Sequence, residues 1–449
     1  MEKNYIKGIC SDITHDGLGV VKYDNKPYFI FDILPGESGK FEILRENKNL
    51  GYAKVIQRNN DSKERIVPIC KEFGKCGGCD FFNMSYEFEV KYKLKMINET
   101  FKRIGHLDFK IDEVIKADKT TNIDKTIKYR NKVQIPFKDN KNKAICGFYK
   151  KKSHDIIEVD TCYLQTDLTT EIAKFVKNVM NELKISAYNE EKHSGCMRHL
   201  LVRNTCNNEY MVVFICKDYD ISSIKVLAEK LKNKYKEVKS IILNINKEKS
   251  NVILGSDYKL IYGEDYLVEN ILGLNFKMSH KAFFQINHDQ TEKLYSKALE
   301  FANISKNDVV LDCYCGVGTI SLLCSKYAKK VYGVEIVKEA IEDAKKNAIL
   351  NNITNAEFIC APAEEKINDL VDEIDVLLVD PPRKGLDKSL IDTLINSKIK
   401  RIVYVSCDVA TMARDLNLLS EKYELTKGCG VDLFPRTANV ETVVLLNRK

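Results

Sequence analysis

Over the first 58 residues, apolar and polar positions alternate in short runs. Residues 19–24, 26–31, 39–45 and 52–58 each read as a strand, punctuated by Asp-Gly, Asp-Asn-Lys-Pro and Leu34-Pro-Gly-Glu37. Strands this short, with no helix between them, predict a small β-barrel of the OB or SH3 kind. At 86–104 the spacing of apolar residues turns helical within a Lys/Glu-rich segment. Residues 127–270 mix the two periods. Strands are predicted near 132–137, 200–203, 211–216 and 241–244, with helices over 169–183 and 223–235, an α+β region. From about 305, short apolar runs at 309–312, 331–335, 357–360, 376–380 and 402–406 alternate with helical stretches. That alternation predicts an open, mostly parallel α/β sheet of Rossmann-like form. Two more strands, 426–431 and 441–447, follow it. The expected organisation is multidomain: a barrel over 1–58, a central α+β domain over 59–270, and an α/β domain over 271–449.

Composition narrows the classes. The chain has 449 residues, of which 44% are hydrophobic and 30% charged, with a formal net charge of +7. That balance excludes wholesale disorder. No apolar run approaches the ~18–20 residues of a membrane span, and residues 1–8 lack a signal-peptide core. Fifteen cysteines, an odd number at uneven spacing, do not make a secreted disulfide scaffold. The expected compartment is a reducing cytosol, where each thiol is a small core residue, a metal ligand or a nucleophile. The charge is uneven: residues 84–160 hold 18 Lys and Arg against 12 Asp and Glu. A local basic surplus suits a polyanion such as nucleic acid, or simply a solvated face.

The first α/β strand runs into Val310-Leu-Asp-Cys-Tyr-Cys-Gly-Val-Gly-Thr-Ile-Ser321. Gly316 and Gly318 allow a tight turn and close approach of a ligand to the backbone. The second strand ends Tyr332-Gly-Val-Glu335, placing an acid to accept ribose hydroxyl protons. A third glycine and a Gly-Lys-Ser/Thr are missing, which weakens dinucleotide and P-loop readings. The fourth strand ends Asp380-Pro-Pro-Arg-Lys-Gly385, where substrate and cofactor meet in such folds. Together these read as an S-adenosylmethionine (SAM) methyltransferase domain.

The fifth strand ends Val403-Tyr-Val-Ser-Cys-Asp408, so Cys407 is expected at the same sheet edge. C5 of a pyrimidine is a poor nucleophile towards a methyl sulfonium. A thiolate added to C6 turns C5 into an enolate carbon that takes the methyl; a base then removes the C5 proton and the thiolate leaves. Cys407 suits the thiolate and Glu441, in Asn439-Val-Glu-Thr-Val443, the base. A cytosine-C5 RNA enzyme would carry Pro-Cys after the fourth-strand acid; Pro-Pro-Arg here favours uracil.

Cys70, Cys76 and Cys79 form a tight three-thiol set among Gly74, Gly77 and Gly78. Metal binding explains that spacing better than packing does. Cys162, in Val159-Asp-Thr-Cys-Tyr163, is the best-placed fourth ligand, and spacing leaves Cys146 open. Four thiolates suit Zn²⁺ or a [4Fe–4S] cluster, and spacing does not choose. With Cys407 assigned to chemistry, the remaining ten cysteines read as packing.

These residues resemble, over essentially the whole chain, the RNA uridine-C5 methyltransferases that make 5-methyluridine in 23S rRNA or in the T-loop of tRNA. The resemblance implies that 1–58 is a TRAM module, an RNA-binding barrel. It implies that Cys70, Cys76, Cys79 and Cys162 hold a [4Fe–4S] cluster. It matches Tyr129-Arg-Asn-Lys-Val-Gln134 to a central-domain motif and Phe283-Phe-Gln-Ile-Asn287 to a SAM-contacting segment. On the same matching, Gln285, Tyr314, Glu335 and Asp380 bind SAM, Cys407 is the nucleophile and Glu441 the base. It also implies that helix 86–104 packs on the methyltransferase domain, that the target base leaves its stack, and that the enzyme is a cytoplasmic monomer. The intact cysteine set and barrel point to 23S rRNA before tRNA. This chain departs from the family's Ser-Cys-Asn-Pro with Ser-Cys-Asp-Val, which places a charge beside the thiol unless Asp408 points away. It replaces His-Val-Glu with Asn439-Val-Glu441, and the Gln-His after Cys79 with Phe-Phe-Asn.

Two other classes compete. One is an amino-group methyltransferase using Asp380-Pro-Pro, to which Cys407 and Glu441 are dispensable. The other is a non-catalytic RNA-binding protein with structural zinc.

Overall fold

The computed structural model describes residues 4–117, 119–120, 123–141, 143–218 and 221–449. Strands Tyr5–Ile13, Gly19–Tyr23, Lys26–Phe31, Ser38–Glu46 and Gly51–Arg58 close into a five-stranded barrel. Their alternation directs Ile6, Cys10, Val21, Tyr28, Ile30, Phe41 and Ala53 inward. Asp24 and Asn25 both take positive φ at the tight turn joining the second and third strands, a conformation these two residue types tolerate. Arg65 ties the exit of the barrel back to it through the fully buried Glu37.

Helix Tyr86–Arg103 starts where the Ser85 Oγ accepts the Phe88 amide, at 3.2 Å. It does not join the central sheet. Its buried Val90, Ile97 and Phe101 share a core with Met412, Ala413 and Leu416 of helix Val409–Leu419. Shortly after it, Val114–Ile115 pairs in parallel with Gly430 and Val431 at the edge of the C-terminal sheet. Segment 86–117 therefore packs with the C-terminal body, although it lies inside the 59–270 span expected for the central domain.

The central sheet has seven strands in the order 156–158, 143–149, 132–140, 197–204, 210–216, 238–245, 257–263. Helices Asp167–Leu183 and Ile221–Lys234 cover one face. Leu201, Met211, Val213 and Ile215 on the other face enter one continuous core with Phe276, Leu294, Val310 and Val403. This double cover explains why strands Met197–Asn204 and Tyr210–Cys216 are buried at every position rather than alternately.

The C-terminal sheet has eight strands in the order 356–360, 330–335, 309–313, 376–379, 401–406, 441–448, 423–431, 114–115. The first five run parallel and Glu441–Arg448 runs antiparallel beside Arg401–Ser406. The chain order reverses across strand Val309–Cys313, and in such sheets the ligand crevice opens outside the carboxyl ends at that point. Among the described residues, no helix is long and apolar enough to cross a membrane.

Candidate active site

A cavity of about 660 Å³ opens at that crevice. Gln285, Tyr314, Glu335, Asp380, Cys407 and Glu441 all line it. Four of them follow from sheet geometry. Glu335 ends one parallel strand, Tyr314 and Asp380 follow the ends of two more, and Cys407 follows a fourth. Glu441 begins the antiparallel strand, with Thr442 paired to Ser406, so its first residue meets the others' last at one edge.

The glycine turn is built for close approach. Gly316 and Gly318 take φ of +54° and +83°. A Cβ on Gly318 would lie 2.8 Å from the Phe358 ring, whereas one on Gly316 would meet nothing within 4 Å. The first glycine thus keeps backbone open towards the cavity, and the second lets helix Thr319–Ser325 pack on the sheet. Glu335 is fixed from behind by the Gly316 amide, at 3.3 Å, and the Val337 amide, at 3.0 Å. Asp312 is buried below the turn with Ser321 Oγ on its carboxylate, and burial pushes its carboxyl up to about 7. Burial pushes Asp380 up to about 7 as well.

Loop 380–386 is held from beneath by Asp415, whose carboxylate accepts the Leu386 amide and the Tyr404 hydroxyl, each at 2.8 Å. On this loop Arg383 places its positive charge near both Cys407 and Glu441. Burial pushes the Cys407 thiol up, Glu441 pushes it further, and Arg383 draws it down. Asp408 takes no part: it caps helix Val409–Leu419, its carboxylate accepting the Ala410 and Thr411 amides at 3.0 Å. The charge beside the thiol is therefore spent on a helix N-terminus.

Glu441 is 2% exposed, and its Oε2 is buried with no hydrogen-bond partner. Burial first, then Asp380, raise its carboxyl well above the usual range, and Arg383 opposes them. The loop leading to it is fastened at several points. Lys93 of the 86–103 helix, fully buried, binds Glu89 at 2.8 Å and Asp432 at 2.7 Å. Tyr129 Oη donates to the Pro435 carbonyl, at 2.9 Å, and Asn287 Nδ2 to that of Leu433, at 3.0 Å. The Asp80 and Phe81 amides donate to the Arg436 carbonyl, and Asp80 accepts the Ala438 amide.

Cys70, Cys76, Cys79 and Cys162 line a second, small cavity of about 40 Å³ with apolar walls, and Arg130 stands beside them. Cys146 is not on its wall; it is buried beside Ala173. Burial pushes the Cys76, Cys79 and Cys162 thiols up. The Tyr129-Arg130-Asn131 segment joins the two cavities: Asn131 Nδ2 donates to the Gln285 carbonyl at 3.0 Å. The basic surplus of 84–160 is accordingly not all surface, since Lys93 lies in the interior and Arg130 beside the thiols.

Sequence reasoning assigned nothing to Arg383, although it quoted the motif that contains it, nor to Tyr295, which is buried at the cavity wall near Asp380 and Glu441. Packing also fails to account for two of the ten remaining cysteines: Cys206 and Cys360 are exposed.

Residues 86–449 match the family model described as tRNA (uracil-5-)-methyltransferase. An uncharacterized RNA methyltransferase of Staphylococcus aureus (strain MSSA476) is 42% identical over 453 residues, covering 100% of this chain and 99% of that one. Another from Bacillus cereus (strain ATCC 10987) is 40% identical, covering 100% and 98%. Among solved structures, the tRNA (uracil-54, C5)-methyltransferase of Pyrococcus abyssi, in complex with S-adenosyl-L-homocysteine, is similar with a TM-score of 0.79. Its identity is 27%, over 98% of this chain and 100% of that one.

Proposed function

The chain belongs to the RNA (uracil-C5)-methyltransferase family of SAM-dependent enzymes, and from that premise we propose that it methylates C5 of a uridine in 23S rRNA through a covalent Cys407 adduct. The observation that carries the mechanism is the meeting of one thiol, one guanidinium and one unpartnered carboxyl (Cys407, Arg383, Glu441) at the edge of the same cavity.

Gln285, Tyr314, Glu335 and Asp380 would bind SAM, the methyl donor, whose sulfonium methyl is the group transferred. The fit rests on the open backbone at Gly316 and on Glu335, whose carboxylate is already oriented by two amides. Cys407, half-buried, releases its proton to solvent and adds its sulfur to C6 of the uracil; Arg383 stabilises the thiolate. The C5 enolate takes the methyl. The carboxylate form of Glu441, which Arg383 favours against burial, then removes the C5 proton, the C5=C6 bond re-forms, and the Cys407 thiolate leaves. Phe283, 70% exposed at the cavity mouth, offers a ring on which an extruded base can stack.

Cys70, Cys76, Cys79 and Cys162 would hold a [4Fe–4S] cluster. Among the described residues, one group of three His, Cys, Asp or Glu side chains brings its ligand atoms within 4.8 Å of one another, and it is not this one. Four thiols around one small cavity suit a four-thiolate site. The cluster serves structure. Cys79 adjoins Asp80, which grips the loop to Glu441. The barrel, read as a TRAM module, and the exposed lysines of 84–160 would hold the RNA backbone. The enzyme is read as a cytoplasmic monomer with domains 1–58, 59–270 and 271–449, the 86–117 segment of the second packing on the third.

The T-loop uridine of tRNA is the second reading, favoured by the Pyrococcus abyssi neighbour, which is named for tRNA uracil-54. Mapping 5-methyluridine in rRNA and tRNA from cells lacking the protein separates the two. RNA carrying 5-fluorouridine, which has no C5 proton to remove, should trap the enzyme through Cys407. A Cys407→Ala enzyme that retains methyl transfer would exclude the mechanism, and with it favour the amino-group alternative.

A further inference from the structure

Outside both cavities, Cys206, Glu269 and His288 bring a sulfur, a carboxylate oxygen and a ring nitrogen within 4.8 Å of one another. They come from three separate elements. Cys206 lies in the turn after strand Met197–Asn204 of the central sheet. Glu269 is on strand Tyr266–Ile271 of the two-stranded ribbon. His288 opens helix His288–Ala302, which packs beside strand Glu441–Arg448 of the C-terminal sheet.

The carboxylate is the second, independent sign. Glu269 is 1% exposed. Its Oε1 is satisfied, accepting the Cys206 amide at 3.2 Å and the Asn270 amide at 3.0 Å. Its Oε2 is buried with no hydrogen-bond partner, and so is His288 Nδ1. An ordinary buried His–Glu pair would join these two atoms in a hydrogen bond. Here Nδ1 instead stands 3.5 Å from the already occupied Oε1, and a bare oxygen and a bare nitrogen remain buried. The far side of the ring, Nε2, lies 3.9 Å from Glu292, whose carboxylate accepts the Leu272 amide at 2.9 Å.

We propose that Cys206, Glu269 and His288 bind one zinc ion, which clamps the central sheet to the helix beside the catalytic sheet. The donor set selects the metal class. Calcium and magnesium take oxygen ligands, whereas zinc accepts thiolate, imidazole and carboxylate together. A thiolate and a carboxylate neutralise its two charges. Cys206 is on the exposed side, which leaves a fourth position to water.

The test uses the full chain purified without oxygen, with its iron intact, in three forms: wild type, Cys206→Ala and His288→Ala. Zinc and iron are counted by mass spectrometry after dialysis against a weak chelator, and melting is followed with and without added zinc chloride. The expected result is one zinc per chain in the wild type, at least roughly tenfold weaker zinc binding in either variant, unchanged iron, and a zinc-dependent rise in melting temperature only in the wild type. Cys206 is exposed, so a Cys206→Ala protein that keeps wild-type iron content and circular dichroism is a valid arm. Equal zinc in all three proteins, or no zinc and an unmoved melting curve in the wild type, would reduce the cluster to a His288–Glu269 contact and overturn the proposal. None of these readouts passes through methyl transfer, so the outcome is independent of the proposed reaction.

Discussion

Replacing Glu441 with Gln isolates the last step of the reaction. The amide keeps the size of the side chain and removes only its ability to take a proton. A positioned acid–base group contributes roughly 10²–10⁴-fold, or about 3–5 kcal/mol at 1.36 kcal/mol per tenfold. Asp380 is the other carboxylate acting on Cys407, so any residual proton removal falls to it. Addition and methyl transfer do not need Glu441, and the methylated adduct should accumulate. The assay pairs RNA tritiated at uracil C5 with methyl-labelled SAM: tritium release should fall by that factor, while denaturing gels show a methyl-bearing protein–RNA band. Stability should move the other way. The Glu441 carboxyl is raised in the fold above its unfolded value, so its ionised form is disfavoured there. The resulting penalty grows as pH rises through the unfolded pKa and is full above the folded one. At neutral pH and above, the Gln protein should therefore melt no lower than the wild type. Tritium release at the wild-type rate, or lost activity accompanied by a lower melting temperature, would refute the reasoning.

Arg383→Gln removes the cation that draws the Cys407 thiol down, so alkylation of the Cys407 peptide, followed by mass spectrometry across pH, should shift to higher pH, with activity partly restored there. Gly318→Ala forces a side chain onto φ +83° and against the Phe358 ring; urea denaturation should show a loss of about 2–4 kcal/mol together with weaker SAM binding. Lys93→Met leaves the buried Asp432 without its cation and Glu89 with Arg436 alone, and the same measurement should show a loss of about 3–5 kcal/mol.

What the sequence made legible is what local pattern can encode. Glu335, Asp380 and Cys407 stand at the ends of apolar runs, and parallel strands deliver their last residues to one edge, so their common cavity follows from periodicity alone. The alternating first 58 residues likewise announce a barrel. The pairing of Lys93 with Asp432, 339 residues apart, leaves no local trace: in sequence, Lys93 looks like one more solvated lysine in a Lys/Glu-rich helix. Val114–Ile115 is too short to register as a strand, and only its partner strand makes it one. Strands Met197–Asn204 and Tyr210–Cys216 carry no alternation, because a second core lies on their far side. Asp408 reads as a threat to the thiolate until its side chain is seen accepting two amides of the following helix.

The placement of segment 86–117 in the C-terminal sheet has a consequence for how the chain is made. Helix Tyr86–Arg103 emerges from the ribosome with Val90, Ile97 and Phe101 on its surface, while the strand and helix that bury them end some 300 residues later. At ~5–20 residues per second, that interval is roughly 15–60 s. The barrel and the central sheet can form in the meantime; the methyltransferase sheet waits for the final strand to be released. Until then only the barrel side of the helix, at Tyr92, has its packing partners, and Val90, Ile97 and Phe101 await theirs. A fragment beginning at residue 271 would carry the reacting groups yet lack the helix and edge strand that complete their sheet.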